Sequence, residues 1–340
     1  MTTSRPKILI YGAGRHGSEA ARIAISKGWD VVGLFNRSGA KVGKDLGELA
    51  SPEGSDEKFG VLVEDCADAD FTKLDADLAI VAVTDRLQTN LPAYEALLSS
   101  GINVLCHGSE SYFPQESDPT LAQKIDQLAK ENGVTFTGTG VWDHSRIWAG
   151  LLAAGPCRDL KSLVHRSRTR IDVSPYIELV GTGLTVPEFE QKIVDNPGPL
   201  GGLYKTIPSI VMHGLGYMLQ SVTERREPVL FEHPVFCAGL GRDVEPGFCA
   251  GTRIVAEATS RCGVVARAEI ELRLFEEGEV DNMEWHLNGD PDSGVLMARY
   301  DSLRTSTMCL INRAQDVINA PPGIQLITDL GPLRYHPTSD

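Results

Sequence analysis

The chain has few of the features that mark a membrane, secreted, metal-binding or nucleic-acid-binding protein. No apolar run in its 340 residues approaches the length that spans a bilayer. The polar start, residues 1–7, lacks the basic, apolar and small-residue parts of a secretory signal, so the expected compartment is the cytoplasm. Seven cysteines (Cys66, Cys106, Cys157, Cys237, Cys249, Cys262 and Cys309) are odd in number and include no CxxC pair. They support neither a disulfide framework nor a zinc knuckle and read mostly as small buried hydrophobes. No H-x-E or HExxH spacing is present, so no metal site is expected, and the absence of G-x-S-x-G argues against a hydrolase elbow. Basic residues are outnumbered, 32 against 46 acidic ones, for a net charge of −14. Such a chain repels polyanions; nucleic acid is not an expected partner, although a local cationic pocket for a phosphate remains compatible. There is no internal repeat and no low-complexity tract.

What is present begins with Gly12-Ala13-Gly14-Arg15-His16-Gly17, directly behind the apolar run 8–11. Gly12 permits a tight turn, Gly14 lets the backbone approach a pyrophosphate, and Gly17 allows close helix packing, while the helix start offers N–H groups to the anion. Residues 18–27 read as a helix and 30–35 as a second buried strand, completing a βαβ unit that predicts dinucleotide binding. Further strands are expected at 60–63, 77–83, 102–107 and 134–138, alternating with helices at 91–98 and 121–131. The alternation predicts an α/β fold with a Rossmann, doubly wound parallel sheet over residues 1–140.

Beyond it the rhythm changes. Residues 265–275 alternate Ala266, Ala268, Ile270, Leu272 and Leu274 against Arg267, Glu269, Glu271 and Arg273, the pattern of a half-buried antiparallel strand. With 251–258, 283–287 and 295–300 as neighbours, a second α/β domain with an open, largely antiparallel sheet is expected over 141–310, for substrate binding and dimerisation. Helices at 187–194 and 208–222 would cover part of one face, with His213 as a core histidine, and a second copy the rest, making a homodimer. Residues 311–340 would pack back toward the first domain.

The dinucleotide's identity is read about 20 positions past the glycine turn, where an acidic residue would hold the ribose 2′-hydroxyl of NAD. Asn36-Arg37-Ser38 stands there instead, with a planar cation and two neutral hydrogen-bonding groups suited to the phosphate of NADP. NADP(H) is therefore preferred and NAD(H) left open, with Arg15 as a second cation. In such a sheet the chemistry belongs at the carboxyl ends of the strands, here Thr84-Asp85 and His107-Gly108-Ser109-Glu110. Glu110 is the candidate catalytic residue, trailed by Tyr112, Phe113 and Pro114, which would shield it from water and suit it to proton transfer. The spacing is equally compatible with an exposed or helix-capping glutamate. His107 and His144 are competing acid/base candidates.

Several stretches taken together resemble a known family: residues 40–49 (AKVGKDLGEL), Asn103-Val104-Leu105 leading to Glu110 and 112–114, Gly138-Thr139-Gly140-Val141, and Asn319-Ala320-Pro321-Pro322-Gly323-Ile324. In order along most of the chain, they are similar to the 2,4-diaminopentanoate dehydrogenase family, which is related to dihydrodipicolinate reductase and includes the native amine dehydrogenases. The resemblance implies NAD(P)H-dependent, reversible reductive amination of a small ketone or aldehyde with ammonia, with the family's catalytic glutamate at Glu110. Where diaminopentanoate-type members carry an Asn-Pro-Gly-Phe turn, this chain has Trp142-Asp143-His144-Ser145, followed by Trp148. That departure puts a diamine substrate in doubt and favours the amine dehydrogenase branch, with Trp142, His144, Trp148 and Tyr176 shaping a compact apolar pocket and Tyr204 a further candidate. The competing expectations are a cyclic imine or enamine reductase and a non-catalytic NADP(H) sensor.

Overall fold

A computed structural model describes residues 5–37, 39–50, 58–172 and 176–337. The chain divides into two compact units, residues 1–144 with 303–340 and residues 145–302.

The first unit runs β1 (Lys7–Tyr11), the helix Arg15–Ser26, β2 (Asp30–Asn36), β3 (Val63–Asp65), β4 (Leu78–Val81), the helix Leu87–Ser99, β5 (Asn103–Cys106), the helix Pro119–Glu131 and β6 (Thr135–Gly138). These strands pair in parallel. They are buried on both faces, which is why they read as unbroken apolar runs. Ile8, Ile10 and Leu34 pack on one side with Ala20 and Ala24, and Leu9, Ala79 and Val81 on the other with Tyr94, Leu97 and Phe136. Asp118 caps the helix Pro119–Glu131, its side chain accepting from the N–H groups of Thr120 and Leu121. The helix Leu87–Ser99 starts four residues before the stretch expected from periodicity and carries Pro92 inside it.

The second unit contains the helix Ala149–Ala154, β7 (Asp159–Arg170), the helix Thr206–Gly214, β8 (Leu219–Leu230), a small ribbon of β9 (Val235–Cys237) and β10 (Arg242–Val244), then β11 (Cys249–Ser260), β12 (Val265–Arg273), β13 (Asp281–Asp290) and β14 (Ser293–Arg299). Its main sheet has the order β14-β13-β7-β12-β11-β8. All its pairs are antiparallel except β7 with β12. The helix expected over 208–222 ends at Gly214; Gly216, with φ +82°, turns the chain and residues from Leu219 onward join the sheet as β8. His213 is exposed at that helix end, not a core residue. One sheet face is apolar, with Ile254, Ala256, Ala268, Ile270 and Trp285 buried. The other carries ion pairs such as Arg253–Glu271 (2.6 Å) and Arg166–Glu269 (3.3 Å).

The chain then returns to the first unit. The helix Ser302–Ile318 lays Leu310, Ile311, Ala314 and Val317 on the face formed by Ile8 and Ile10. Its successor β15 (Gly323–Ile324) pairs in parallel with β6, giving a seven-stranded sheet of order β15-β6-β5-β4-β1-β2-β3. Among the described residues no helix is long and apolar enough to cross a membrane.

Candidate active site

The glycine loop leaves β1 with the N–H groups of Gly12 and Ala13 donating to the Phe35 carbonyl at 2.8 and 3.1 Å. Gly12 has φ +113°, and a Cβ there would lie 2.5 Å from the Ala82 carbonyl oxygen. A Cβ on Gly17 would lie 2.0 Å from the Gly12 carbonyl oxygen, so these two glycines are demanded by packing. Gly14 differs: among the described residues beyond its chain neighbours and its own helix backbone, no heavy atom comes within 4 Å of where its Cβ would stand. It faces a cleft of about 330 Å3 lined by Arg15, Ser18, Lys41, Glu48 and Leu303, among others. An open glycine at a helix start suits the close approach of a phosphate. Arg15 and Arg37 are exposed, Asn36 donates its side-chain amide to the Arg37 carbonyl at 2.8 Å, and Ser38 lies outside the described residues.

His16, at the start of the helix, stacks on His107 with ring centroids 4.2 Å apart. Burial, with His107 and Arg15 adding to it, pushes the His16 imidazole down to about 3, and burial also lowers His107, whose Nε2 lies 2.9 Å from Ser306 Oγ. Both rings are therefore neutral near pH 7, and neither supplies charge to an anion.

The carboxyl ends of β4 and β5 are locked together. Ser109 donates its N–H and Oγ–H to Asp85 Oδ1 at 2.9 and 2.7 Å, and the Glu110 N–H donates to the Asp85 carbonyl at 3.1 Å. A Cβ on Gly108 would meet the Thr84 carbonyl oxygen at 2.4 Å, so only glycine lets the two ends approach this closely. Thr84 Oγ1 accepts from the Arg86 N–H at 3.2 Å. The Glu110 carboxylate accepts from Arg86 Nη1 at 2.6 Å and from the Leu87 N–H, at the start of the helix, at 2.8 Å. With 17% of the side chain exposed, it is held as a fixed negative group rather than left in solvent. Tyr112, Phe113 and Pro114, which follow it in the chain, are buried, and Arg86 is the partner that the spacing did not reveal.

After β6 the chain packs Trp142 against Tyr112, ring centroids 5.5 Å apart, and leaves Trp142 only 8% exposed. Asp143 is fully buried and takes a two-pronged ion pair from Arg313, Nε to Oδ2 at 3.0 Å and Nη2 to Oδ1 at 2.9 Å, with Thr139 Oγ1 donating at 2.6 Å. His144 Nδ1 lies 3.8 Å from Cys309 Sγ. The glycine loop, Thr84, Asp85, His107, Gly108, Glu110, Trp142 and His144 thus belong to the first unit, whereas Trp148 and Tyr176 belong to the second. Tyr176 is 45% exposed; Tyr204 is buried, with the Arg146 guanidinium 5.8 Å from its ring centre. Among the described residues no group of three or more His, Cys, Asp or Glu side chains could hold a metal ion.

No protein-family model matches the chain. It is similar to the 2,4-diaminopentanoate dehydrogenase of Acetoanaerobium sticklandii, with 27% identity over 95% of this chain and 93% of that protein. Its fold matches that of an amine dehydrogenase from Mycobacterium smegmatis with a TM-score of 0.83 and 27% identity, covering 98% of both chains. A more distant match, biliverdin reductase from Synechocystis solved with biliverdin and NADP+, has a TM-score of 0.57 and 14% identity over 96% and 95% of the two chains, a likeness of fold alone. The resemblance carried by the short motifs therefore extends over nearly the whole chain.

Proposed function

We propose that this protein is an NAD(P)-dependent oxidoreductase acting on CH–NH2 groups, an amine dehydrogenase that interconverts a small ketone or aldehyde plus ammonia with the corresponding primary amine. The observation that carries this reading is the Glu110 carboxylate, fixed by Arg86 and the Leu87 N–H at the carboxyl ends of β4 and β5. The full-length likeness to two proteins described as dehydrogenases of amines supports it.

The reduced nicotinamide, when bound, supplies a hydride to carbon. The glycine loop would hold the dinucleotide, and the other duties fall to Glu110. Arg86 and Leu87 engage each carboxylate oxygen once, leaving acceptor capacity toward a substrate. Glu110 takes a proton from ammonium, freeing the nitrogen lone pair to attack the carbonyl carbon, and returns that proton to the carbinolamine hydroxyl as it leaves as water. Carbonyl plus ammonium thereby becomes iminium plus water with no net proton change. The negative charge of Glu110 then faces the cationic carbon that accepts hydride, which yields the neutral amine. In the reverse direction Glu110 orients and deprotonates the water that attacks the iminium.

A preference for NADP(H) is part of the proposal, supported by Asn36-Arg37-Ser38 standing where an NAD-preferring chain carries a carboxylate, with Arg37 exposed. A homodimer through the second unit is proposed from the sheet face that carries the part-exposed pairs Arg253–Glu271 and Arg166–Glu269, and sedimentation of the purified protein tests it. The reaction is tested by following NADPH absorbance with a panel of small ketones and aldehydes, with and without ammonium. Oxidation that requires ammonium is expected. Oxidation indifferent to ammonium points to reduction of a preformed imine and overturns the proposal, as does cofactor binding with no substrate-dependent oxidation.

A further inference from the structure

The cleft beside Gly14 contains more than a glycine loop requires. Its lining includes Arg15, Ser18, Glu19, Lys41 and Glu48. Lys41, which follows β2 by five residues, reaches back across the cleft so that its Nζ donates to the Ala13 carbonyl at 2.7 Å. That bond uses one of the three ammonium hydrogens and fixes a cation within the glycine loop itself. Ser18, one turn into the helix, is 2% exposed, and its Oγ has no hydrogen-bond partner among the described residues although it borders the cleft. An orphaned buried hydroxyl costs free energy unless a ligand or water satisfies it. The acidic groups in the lining are partly answered. Glu19 takes two hydrogen bonds from Arg22, at 2.9 and 2.7 Å, and Glu48 accepts weakly from the Asp45 N–H at 3.4 Å.

We propose that this cleft is the subsite for a phosphate monoester on the adenosine ribose of the cofactor, gripped by Lys41 and Ser18. Lys41 then sets the preference for the phosphorylated dinucleotide. The inference rests on the dinucleotide reading above and deepens it. A flexible ammonium and a hydroxyl that line the same cleft beside an open glycine suit a compact tetrahedral dianion. A 2′-hydroxyl would leave the Lys41 charge with only a neutral partner.

Phosphate could also mean the pyrophosphate, which every nicotinamide dinucleotide carries, so the test compares the two cofactors. Dissociation constants for NADPH, NADH and adenosine 2′,5′-bisphosphate are measured by calorimetry on the full chain. Lys41→Met keeps the stem and removes the charge. It is expected to weaken NADPH and the bisphosphate by about tenfold or more while NADH stays within about twofold. Ser18→Ala is expected to weaken NADPH by a few fold, and Lys41→Arg to restore most of its affinity, with melting temperatures checking that each variant folds. Equal weakening of NADPH and NADH assigns Lys41 to the pyrophosphate and overturns the proposal, as does no change in either. Should the parent protein bind neither dinucleotide, the functional reading itself falls, a result distinct from a loss of discrimination.

Discussion

Arg86 and Glu110 are 24 residues apart in sequence and 2.6 Å apart in space, and their ion pair ties the start of the helix Leu87–Ser99 to the turn that follows β5. An arginine that donates to the carboxylate proposed to be catalytic does two things. It fixes the side chain in one rotamer, and it gives a part-buried carboxylate a charged partner. The Leu87 N–H is one of the four that a helix start leaves without an intrahelical acceptor, so the same carboxylate also caps the helix.

Glu110→Gln keeps one acceptor oxygen, for either Arg86 or the Leu87 N–H, and removes the negative charge and the second, proton-carrying oxygen. Turnover is expected to fall by about 100-fold or more with NADPH affinity nearly unchanged. Arg86→Met is expected to lower kcat by roughly tenfold, because Glu110 loses its orientation rather than its chemistry. Steady-state rates alongside cofactor titration check both. Activity of Glu110→Gln within a few fold of the parent would remove that residue from the reaction.

The ion pair between Asp143 and Arg313 is more deeply buried than any group the mechanism uses. Both side chains are inaccessible, and Arg313 also reaches Asp316 at 2.9 Å and the Gly331 carbonyl at 3.0 Å. Removing Arg313 strands the Asp143 charge in the interior, and removing the Asp143 charge leaves the buried Arg313 with Asp316 and a backbone carbonyl in place of its two-pronged partner. Arg313→Met or Asp143→Asn is therefore expected to cost about 3–5 kcal/mol in urea unfolding. The double variant Asp143→Asn with Arg313→Met is expected to be less destabilised than the sum of its parts, and additivity in that cycle would show the pair to be uncoupled.

The three glycines of the loop separate stability from binding. Gly17→Ala puts a methyl group 2.0 Å from the Gly12 carbonyl oxygen, so it is expected to destabilise the fold. Gly14 has φ −85°, which any residue adopts, and open space ahead of it. Gly14→Ala is expected to leave the melting temperature within a few degrees and to weaken dinucleotide binding by about tenfold or more, because the methyl group occupies the phosphate's approach. Equal effects of the two variants on melting temperature would contradict this division.

How far the sequence foretold these features depends on how local their signals are. The first sheet is legible because strands buried on both faces are continuous apolar runs, and the glycine loop because two of its glycines answer steric demands and the third leaves open space at a helix start, all within six residues. β7 escaped notice because its inward residues include His165 and Ser167 while Arg166, Arg168 and Arg170 face outward, so the strand never alternates apolar with polar. β8 was hidden by the charged run Glu224-Arg225-Arg226-Glu227, in which Arg226 and Glu224 are nonetheless buried as a pair. Glu110 stood out by its place after a strand, but Arg86, Lys41 and Arg313 act through contacts made only when distant segments meet. The resemblance over most of the chain points to the chemistry, and the partners of the carboxylate exist only in the folded protein.

The stacked imidazoles of His16 and His107 make stability depend on pH in a direction that can be worked out. The His16 value falls from 6.5 to about 3 on folding, chiefly through burial, so between those limits the unfolded chain binds a proton that the folded chain refuses. Stability is then fully present above about pH 6.5 and is lost as the pH falls toward 3, with a slope of up to about 1.4 kcal/mol per pH unit from this one group. His107, lowered by the same burial, adds to the slope with the same sign. His16→Gln keeps a planar polar group beside His107 without a titrating nitrogen. Urea unfolding at about pH 7 and at about pH 5 is expected to show a smaller loss of stability for this variant than for the parent. An unchanged difference between the two pH values would mean that the His16 ring is protonated in the folded protein as readily as in the unfolded chain, and the neutral stacked pair would have to be abandoned.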